Sequence, residues 1–170
     1  RLISLMLTVA AVNIASGAVV PILPLFIQQL SPGAAAIGST TGVILGLRAL
    51  AGALSAAAIG RISDRLGFRR ILVSCLLAAA VVSVPLVFVR TPLQLLLLCV
   101  LVGILLGGTV PTVNALIANR TNREKQGSVY GLNSSVGAVG TAVGPSLGAV
   151  VSAFWGFGAA FLTSATVLGL

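Results

Sequence analysis

The sequence predicts an all-α membrane protein with six transmembrane helices, and three observations support this fold class. Of the 170 residues, 58% are hydrophobic and only 7% are charged, whereas soluble domains carry roughly a quarter charged residues. The mean hydropathy is +1.17. The apolar residues form long runs, most of them near the length of about 20 residues that a helix needs to cross a bilayer.

These runs divide the chain, residues 1–170, into a single transmembrane unit. We expect spans at about residues 2–27, 37–59, 71–89, 93–118, 128–152 and 157–170. The last run is too short for a full crossing, so we expect an incomplete sixth span. The chain begins without methionine and stops inside this apolar run. We therefore expect it to be part of a larger protein.

The first span contains Asn13 and two prolines. Pro21 and Pro24 are expected to bend it, because proline removes a backbone N–H and clashes with the preceding turn of the helix. An uncharged turn is expected at residues 28–33.

The second span contains Arg48 near its middle. A charged side chain at that depth costs roughly 2.5–3.5 kcal/mol on insertion scales. One interpretation is that Arg48 extends to the membrane edge. The other is that it faces an internal cavity and meets a carboxylate of a substrate or of another part of the protein. Asp64 and Glu124, the only acids in the sequence, lie in predicted loops.

Residues 60–70 form a charge-rich stretch between the second and third spans. Four of the ten basic residues lie here. We expect a tight turn on one face of the membrane, because glycine at Gly60 and Gly67 permits a sharp change of direction. Asp64 lies among these arginines, so it can be ion-paired in whatever way this stretch folds.

The remaining connections are a short turn at residues 90–92 and a polar loop at residues 119–127. Asn114 lies in the fourth span and Asn133 in the fifth. Cys75 and Cys99 fall inside apolar runs, so we expect packing roles and no disulfide.

The fifth span carries three glycines at four-residue intervals. Gly140, Gly144 and Gly148 share one helix face, and small residues at this spacing let helices approach closely in lipid. Pro145 follows directly and is expected to kink the helix.

The basic residues also predict orientation. If the N-terminus is cytoplasmic, eight of the ten basic residues lie on the cytoplasmic side, Arg90 lies outside and Arg48 lies within the membrane. Cytoplasmic loops are enriched in Lys and Arg. We therefore expect a multi-pass protein of the inner cell membrane with the stretch at residues 60–70 in the cytoplasm.

The charged stretch resembles the signature turn between the second and third helices in the major facilitator superfamily. The matching residues are Gly60, Asp64, Arg65, Gly67, Arg69 and Arg70. The resemblance implies one half of a twelve-helix fold, made of two inverted three-helix repeats, with these residues as a conformational gate. Residues 17–21 of the first span and 107–111 of the fourth, which correspond in such a repeat, share a Gly-x-x-Val-Pro pattern.

The fifth span is similar to that of drug:proton antiporters within the superfamily. Its Gly144-Pro145-Ser146-Leu147-Gly148 matches their Gly-Pro element, although Ala149 replaces the final glycine. The chain resembles C-terminal halves more than N-terminal halves, because Cys99 precedes Gly103 where N-terminal halves often have an arginine.

The resemblance also implies a site. The first and fourth helices of a half line the central cavity in this family, which favours Asn13 and Asn114 as substrate contacts; Arg48 and Asn133 are further candidates. Asparagine among aliphatic side chains suits amphipathic organic molecules.

We predict proton-coupled multidrug efflux by alternating access, with the bilayer, a small-molecule substrate, protons and the other six-helix half as partners. Since the sequence has no His and no acid within a span, the proton carrier is expected in the other half.

Two alternatives remain open: transport of another small solute, such as an anionic metabolite held by Arg48, or a membrane subunit that does not transport. An intramembrane serine protease would need a histidine base, and an aspartyl protease would need two carboxylates in the membrane. No metal-ligand set is present, so we expect neither enzyme, metal nor cofactor. Nucleic acid is not an expected partner, because the basic residues lie in short loops.

Overall fold

A computed structural model describes residues 2–30 and 37–169. These residues form seven α-helices and one short 3-10 helix, with no strand among them. The elements are α1 (Leu2–Val19), α2 (Ile22–Leu30), α3 (Ile37–Leu66), α4 (Phe68–Ser83), the 3-10 helix (Val84–Phe88), α5 (Pro92–Gly107), α6 (Thr109–Arg120) and α7 (Arg123–Gly169).

Within the described residues, five stretches are long and apolar enough to cross a membrane. They are Met6–Gln28, Ile37–Leu66, Phe68–Phe88, Pro92–Asn119 and Arg123–Gly156. A helix satisfies its own backbone hydrogen bonds, as the hydrocarbon core requires. A further helical segment, 157–169, follows Gly156 within α7. These stretches confirm the predicted helical membrane fold.

The first span is interrupted at Pro21 but not at Pro24. α1 ends at Val19 and α2 begins at Ile22, and the Val20 N–H donates to the Gly17 carbonyl at 3.3 Å. Pro24 lies in the first turn of α2, where the missing N–H would have no helical partner. A turn was expected at residues 28–33, but residues 28–30 belong to α2, which continues to Leu30; residues 31–33 lie outside the described part.

The charged stretch is mostly helix, which corrects the predicted turn. α3 continues through Gly60 to Leu66, and α4 starts at Phe68. Only Gly67 leaves helical geometry, with φ of 95°. The Gly67 N–H donates to the Ser63 carbonyl at 2.9 Å and so satisfies one free carbonyl at the helix end. Glycine adopts this left-handed conformation at little cost.

The fourth span is also interrupted, at Gly108 between α5 and α6. The Gly108 N–H bonds to the Leu106 carbonyl, so the Ile104 carbonyl is left to another donor. The Ser55 hydroxyl of α3 donates to it at 2.7 Å. A helix irregularity in the membrane is thus satisfied by a neighbouring helix.

The predicted loop at residues 119–127 is much shorter in the structure. α6 continues to Arg120 and α7 starts at Arg123. The Gln126 Nε2 donates to the carbonyls of Ala118 and Thr121, both at 3.3 Å. These bonds satisfy carbonyl groups at the end of α6, which explains how a two-residue connection suffices.

α7 passes through Pro145 without a break. Its backbone leaves helical values only at Gly156, with φ of 80° and ψ of 170°, so the fifth and sixth spans meet there directly. The kink expected at Pro145 thus does not interrupt the helix. Phe154 and Trp155, beside the turn, are 77% and 73% exposed, as is typical of aromatic residues at a membrane surface.

Two helix crossings hold the bundle together. α1 crosses α7 and α3 crosses α5, and these are the most extensive contacts between elements. At one crossing, a Cβ on Gly144 would lie 3.1 Å from the Gly17 Cα. At the other, a Cβ on Gly107 would overlap the Gly52 carbonyl. In two inverted three-helix repeats, the first span corresponds to the fourth and the second to the fifth. The crossing of the first and fifth spans then corresponds to the crossing of the fourth and second spans, as the structure has it.

The core consists of two apolar clusters. One contains Phe26 and Phe161, whose rings meet edge to face with centroids 5.6 Å apart. The other contains Leu72, Leu76 and Ile117.

Candidate functional site

Three of the candidate substrate residues line one cavity of about 210 Å³. Asn13 comes from α1, Asn114 from α6 and Asn133 from α7, so the first, fourth and fifth spans meet here. None of the described residues that line it is charged. The remaining lining residues are Val9, Val12, Ser16, Leu106, Thr109, Val110 and Val113.

Two polar atoms on this lining have no hydrogen-bond partner: the Thr109 Oγ1 and the Asn133 Oδ1. Thr109 is only 4% exposed. A buried polar atom without a partner costs roughly 1–3 kcal/mol. Such a cost is offset if a ligand supplies the missing hydrogen bond.

Of the other two asparagines, Asn13 is held by its own helix, and the backbone of Asn114 is held by α7. The Asn13 Nδ2 donates to the Val9 carbonyl at 2.8 Å. The Tyr130 hydroxyl of α7 donates to the Asn114 backbone carbonyl at 3.1 Å. α7 approaches closely here, since a Cβ on Gly140 would lie 2.8 Å from the Asn13 Cβ.

Arg48 lines a second cavity, of about 20 Å³. This volume has room for about one water molecule. Ser16 and Leu106 line both cavities, so the two adjoin. The hydroxyls of Ser83 and Ser164, which also line the small cavity, donate to the backbone carbonyls of Ala79 and Ala15.

Arg48 is half-buried and faces the interior of the bundle. Its side chain lies beside Gly103 of α5, where an added Cβ would lie 2.8 Å from the Arg48 Cγ. Within the described part of the chain no residue forms a hydrogen bond or an ion pair with Arg48. The inward position does not support the interpretation in which Arg48 extends to the membrane edge.

The charged motif presents Asp64 to the exterior, and the ion pair that the sequence allows is not formed among the described residues. Asp64 is exposed, and it makes no ion pair with any described residue. Arg61 lies three residues earlier on the same helix, but exposed pairs contribute only about 0–1 kcal/mol and do not fix two long side chains. The carboxylate is therefore available to a partner outside this chain.

The preceding residue fixes the motif to the bundle. Ser63 is fully buried, and its hydroxyl lies 3.5 Å from that of Thr112 on α6. The inner face of the motif is thus held by the fourth span, while its acidic and basic side chains point outward. Of the motif residues, Gly60, Asp64, Arg65, Gly67, Arg69 and Arg70 are exposed or half-buried.

Sequence reasoning missed Thr109 and Ser63. Both are small hydroxyl residues whose importance depends on what packs around them. The signal for Thr109 was its position directly after Gly107-Gly108, where a helix break frees polar groups. The signal for Ser63 was its place beside Asp64 within the charged motif.

Comparison with known proteins agrees with this architecture. The family model described as Major Facilitator Superfamily matches residues 5–170. The chain belongs to this superfamily. It is 32% identical over 167 residues to the multidrug resistance protein MdtG of Escherichia coli (strain SMS-3-5 / SECEC), and 34% identical over 166 residues to the protein of the same name from Escherichia fergusonii.

Each of these alignments covers 98% of the chain but only 41% of the relative. The chain thus spans about two fifths of the length of these superfamily members. A six-helix half of the twelve-helix fold agrees with this proportion.

Proposed function

We propose that the chain is one six-helix half, the C-terminal one, of a membrane exporter that moves amphipathic organic molecules by proton-coupled alternating access. One observation carries the proposal: asparagines from the first, fourth and fifth spans meet in an uncharged cavity of about 210 Å³. Its support from known proteins is the similarity to relatives named multidrug resistance proteins.

The lining of this cavity suits an amphipathic molecule. Valine and leucine side chains provide apolar contact, and Asn13, Asn114, Asn133 and Thr109 provide hydrogen-bonding groups of both kinds. Drug-sized ligands occupy pockets of about 300–1,000 Å³. The cavity therefore holds part of such a molecule, and the other half supplies the remaining wall.

The charged motif acts as the gate in this proposal. Asp64 and the arginines at residues 61–70 exchange partners with the other half as the two halves rock. The excess of basic residues in this motif and at residues 120–125 supports a cytoplasmic position for both, together with the N-terminus. Since both acids of this chain lie at helix ends facing outward, the other half carries the proton.

A second candidate is transport of a small anionic solute bound by Arg48. The unpaired guanidinium favours it. The cavity beside Arg48, at about 20 Å³, holds no more than about one water molecule, so a metabolite does not reach the guanidinium in this conformation. We therefore prefer the first proposal.

The proposal is tested by efflux from cells expressing the intact protein. The substrates are one uncharged, one cationic and one anionic amphiphile, each measured with and without a protonophore. We expect protonophore-sensitive efflux of at least one compound. Absence of efflux of all three from a well-expressed protein contradicts the proposal.

The variant for this test is Asn114→Ala, and Asn119→Ala is its matched control. Both asparagines lie on α6, but Asn119 is exposed and does not line the cavity. We expect Asn114→Ala to change the efflux rate or the preference among the three compounds and Asn119→Ala to leave both unchanged.

A further inference from the structure

We propose that Arg48 selects substrates by their charge: its positive field reaches the asparagine cavity without direct contact and favours anionic and uncharged amphiphiles over cations. This inference rests on the proposed function, because it assumes that the asparagine cavity holds part of the substrate. It differs from direct anion binding, for which the space beside Arg48 is too small.

The first step is that the charge of Arg48 is not neutralised within this chain. A guanidinium keeps its proton at any physiological pH. No described residue pairs with Arg48. Asp64 is the only acid on the same helix. It follows Arg48 by 16 positions, which correspond to about 24 Å along the helix axis at 1.5 Å per residue. Glu124 is exposed at the start of α7.

The second step is the short separation of the two cavities. Ser16 and Leu106 line both of them, so a single layer of side chains divides the Arg48 cavity from the asparagine cavity. Half of the lining of the larger cavity is aliphatic. An apolar wall within a membrane screens a charge far less than water does.

The third step is that the asparagine cavity has no charge of its own to oppose Arg48. Asn13, Asn133 and Thr109 form hydrogen bonds to charged and uncharged groups alike, and none of them carries a net charge. The field of Arg48 therefore determines which sign of charge is favoured there.

The expected size of the effect follows from Coulomb's law. If the effective dielectric constant is about 20 and the two charges are about 15 Å apart, one unit charge changes the affinity about sixfold. The dissociation constants of a monovalent anion and a monovalent cation of the same shape then differ about 40-fold.

The experiment uses the intact protein purified in detergent and two ions of nearly identical shape, tetraphenylborate and tetraphenylphosphonium. Chloramphenicol is the uncharged reference. Dissociation constants are measured for wild type, Arg48→Met, Arg48→Gln and Arg48→Lys. For each protein we take the ratio of the dissociation constants of the two ions. Comparing this ratio between variants cancels the different partition of the two ions into the detergent.

We expect the preference for the anion to fall about 40-fold in Arg48→Met and Arg48→Gln and to persist in Arg48→Lys, which keeps the charge. Chloramphenicol binding should change less than the binding of either ion. Arg90→Met is the matched control, because Arg90 is exposed in the turn before α5; it should leave the ratio unchanged.

Two results would overturn the inference, and they are distinguishable. If both ions bind and the ratio of their dissociation constants is the same in wild type and the neutral variants, the inference alone fails. A carboxylate supplied to Arg48 by the other half would give this result. If none of the three compounds binds, the proposed function fails and the inference falls with it.

Should neither neutral variant fold, wild type decides the question after correction for partition into protein-free micelles. Tighter binding of tetraphenylborate then supports the inference, and tighter binding of tetraphenylphosphonium contradicts it.

Discussion

Arg48 of the second span packs directly on Gly103 of the fourth. A Cβ at Gly103 would lie 2.5 Å from the Arg48 carbonyl oxygen and 2.8 Å from its Cγ. The other crossing repeats this arrangement, with Asn13 of the first span on Gly140 of the fifth. Each crossing thus places one polar side chain of the candidate site against a glycine, which leaves room for the side chain inside the bundle.

Gly103→Ala should therefore destabilise the protein. The new methyl group meets the backbone of α3 as well as the arginine, so α3 and α5 must separate. Overpacking of this kind costs about 1–3 kcal/mol. The measurement is the free energy of unfolding of the purified protein in detergent.

Gly127→Ala is the control for this substitution. A Cβ at Gly127 meets nothing within 4 Å, and alanine is the better helix former by about 1 kcal/mol. We expect unchanged or increased stability. Equal loss of stability in Gly103→Ala and Gly127→Ala would mean that the contact with Arg48 is not the cause.

The crossing of the first and fifth spans predicts a graded series. At Gly17 the nearest atom to an added Cβ is the Pro145 Cδ, at 3.3 Å; at Gly140 it is the Asn13 Cβ, at 2.8 Å. At Gly148 the added atom would overlap the backbone of Ala18, which has no rotamer to change. The loss of unfolding free energy should increase from Gly17→Ala through Gly140→Ala to Gly148→Ala, reaching about 3 kcal/mol at the last.

Thermal unfolding of the three variants in one detergent gives the order. A larger loss at Gly17 than at Gly148 would show that the two spans do not cross in this way.

The sequence was sufficient to predict the helical membrane fold because long apolar runs leave few alternatives in a membrane. It was not sufficient to predict where helices end. Residues 60–66 include charged side chains, and a helix at the membrane surface accommodates charge as readily as a loop does. The end of α3 therefore depends on Gly67 rather than on the charges. The prolines differ for a similar reason. Pro21 interrupts a helix, whereas Pro24 lies in a first turn, where its missing N–H has no consequence.

For the site, the resemblance to the superfamily supplied the choice of Asn13 and Asn114, and these residues do meet Asn133 in one cavity. The unpartnered hydroxyl of Thr109 was not predictable, because whether a hydroxyl finds a partner depends on the helices that surround it. The separation of Arg48 from the asparagines was missed for the same reason, since it depends on how Ser16 and Leu106 pack between the cavities.

Thr109→Val should separate a ligand-binding role from a structural one. The hydroxyl has no partner, so its removal should leave the unfolding free energy unchanged or raise it by up to about 1 kcal/mol. If a substrate forms the missing hydrogen bond, its dissociation constant should rise about threefold to tenfold. Both quantities are measured on the same purified sample.

Thr112→Val is the matched control, three residues along α6. Thr112 is also buried, and its hydroxyl lies near that of Ser63. We expect the opposite outcome, lower stability with unchanged substrate binding. Loss of stability without loss of affinity in Thr109→Val would assign its hydroxyl a structural role.

Asp64→Asn should abolish most transport while leaving the fold intact. Asp64 is exposed and has no ion-pair partner among the described residues, so its replacement should change the unfolding free energy by no more than about 0.5 kcal/mol. If the carboxylate pairs with the other half in one conformation, loss of about 1.4 kcal/mol from that conformation changes its population about tenfold. Glu124→Gln replaces the other exposed acid and should transport normally. Efflux rates normalised to the amount of folded protein distinguish these outcomes, and normal efflux in Asp64→Asn would remove Asp64 from the gate.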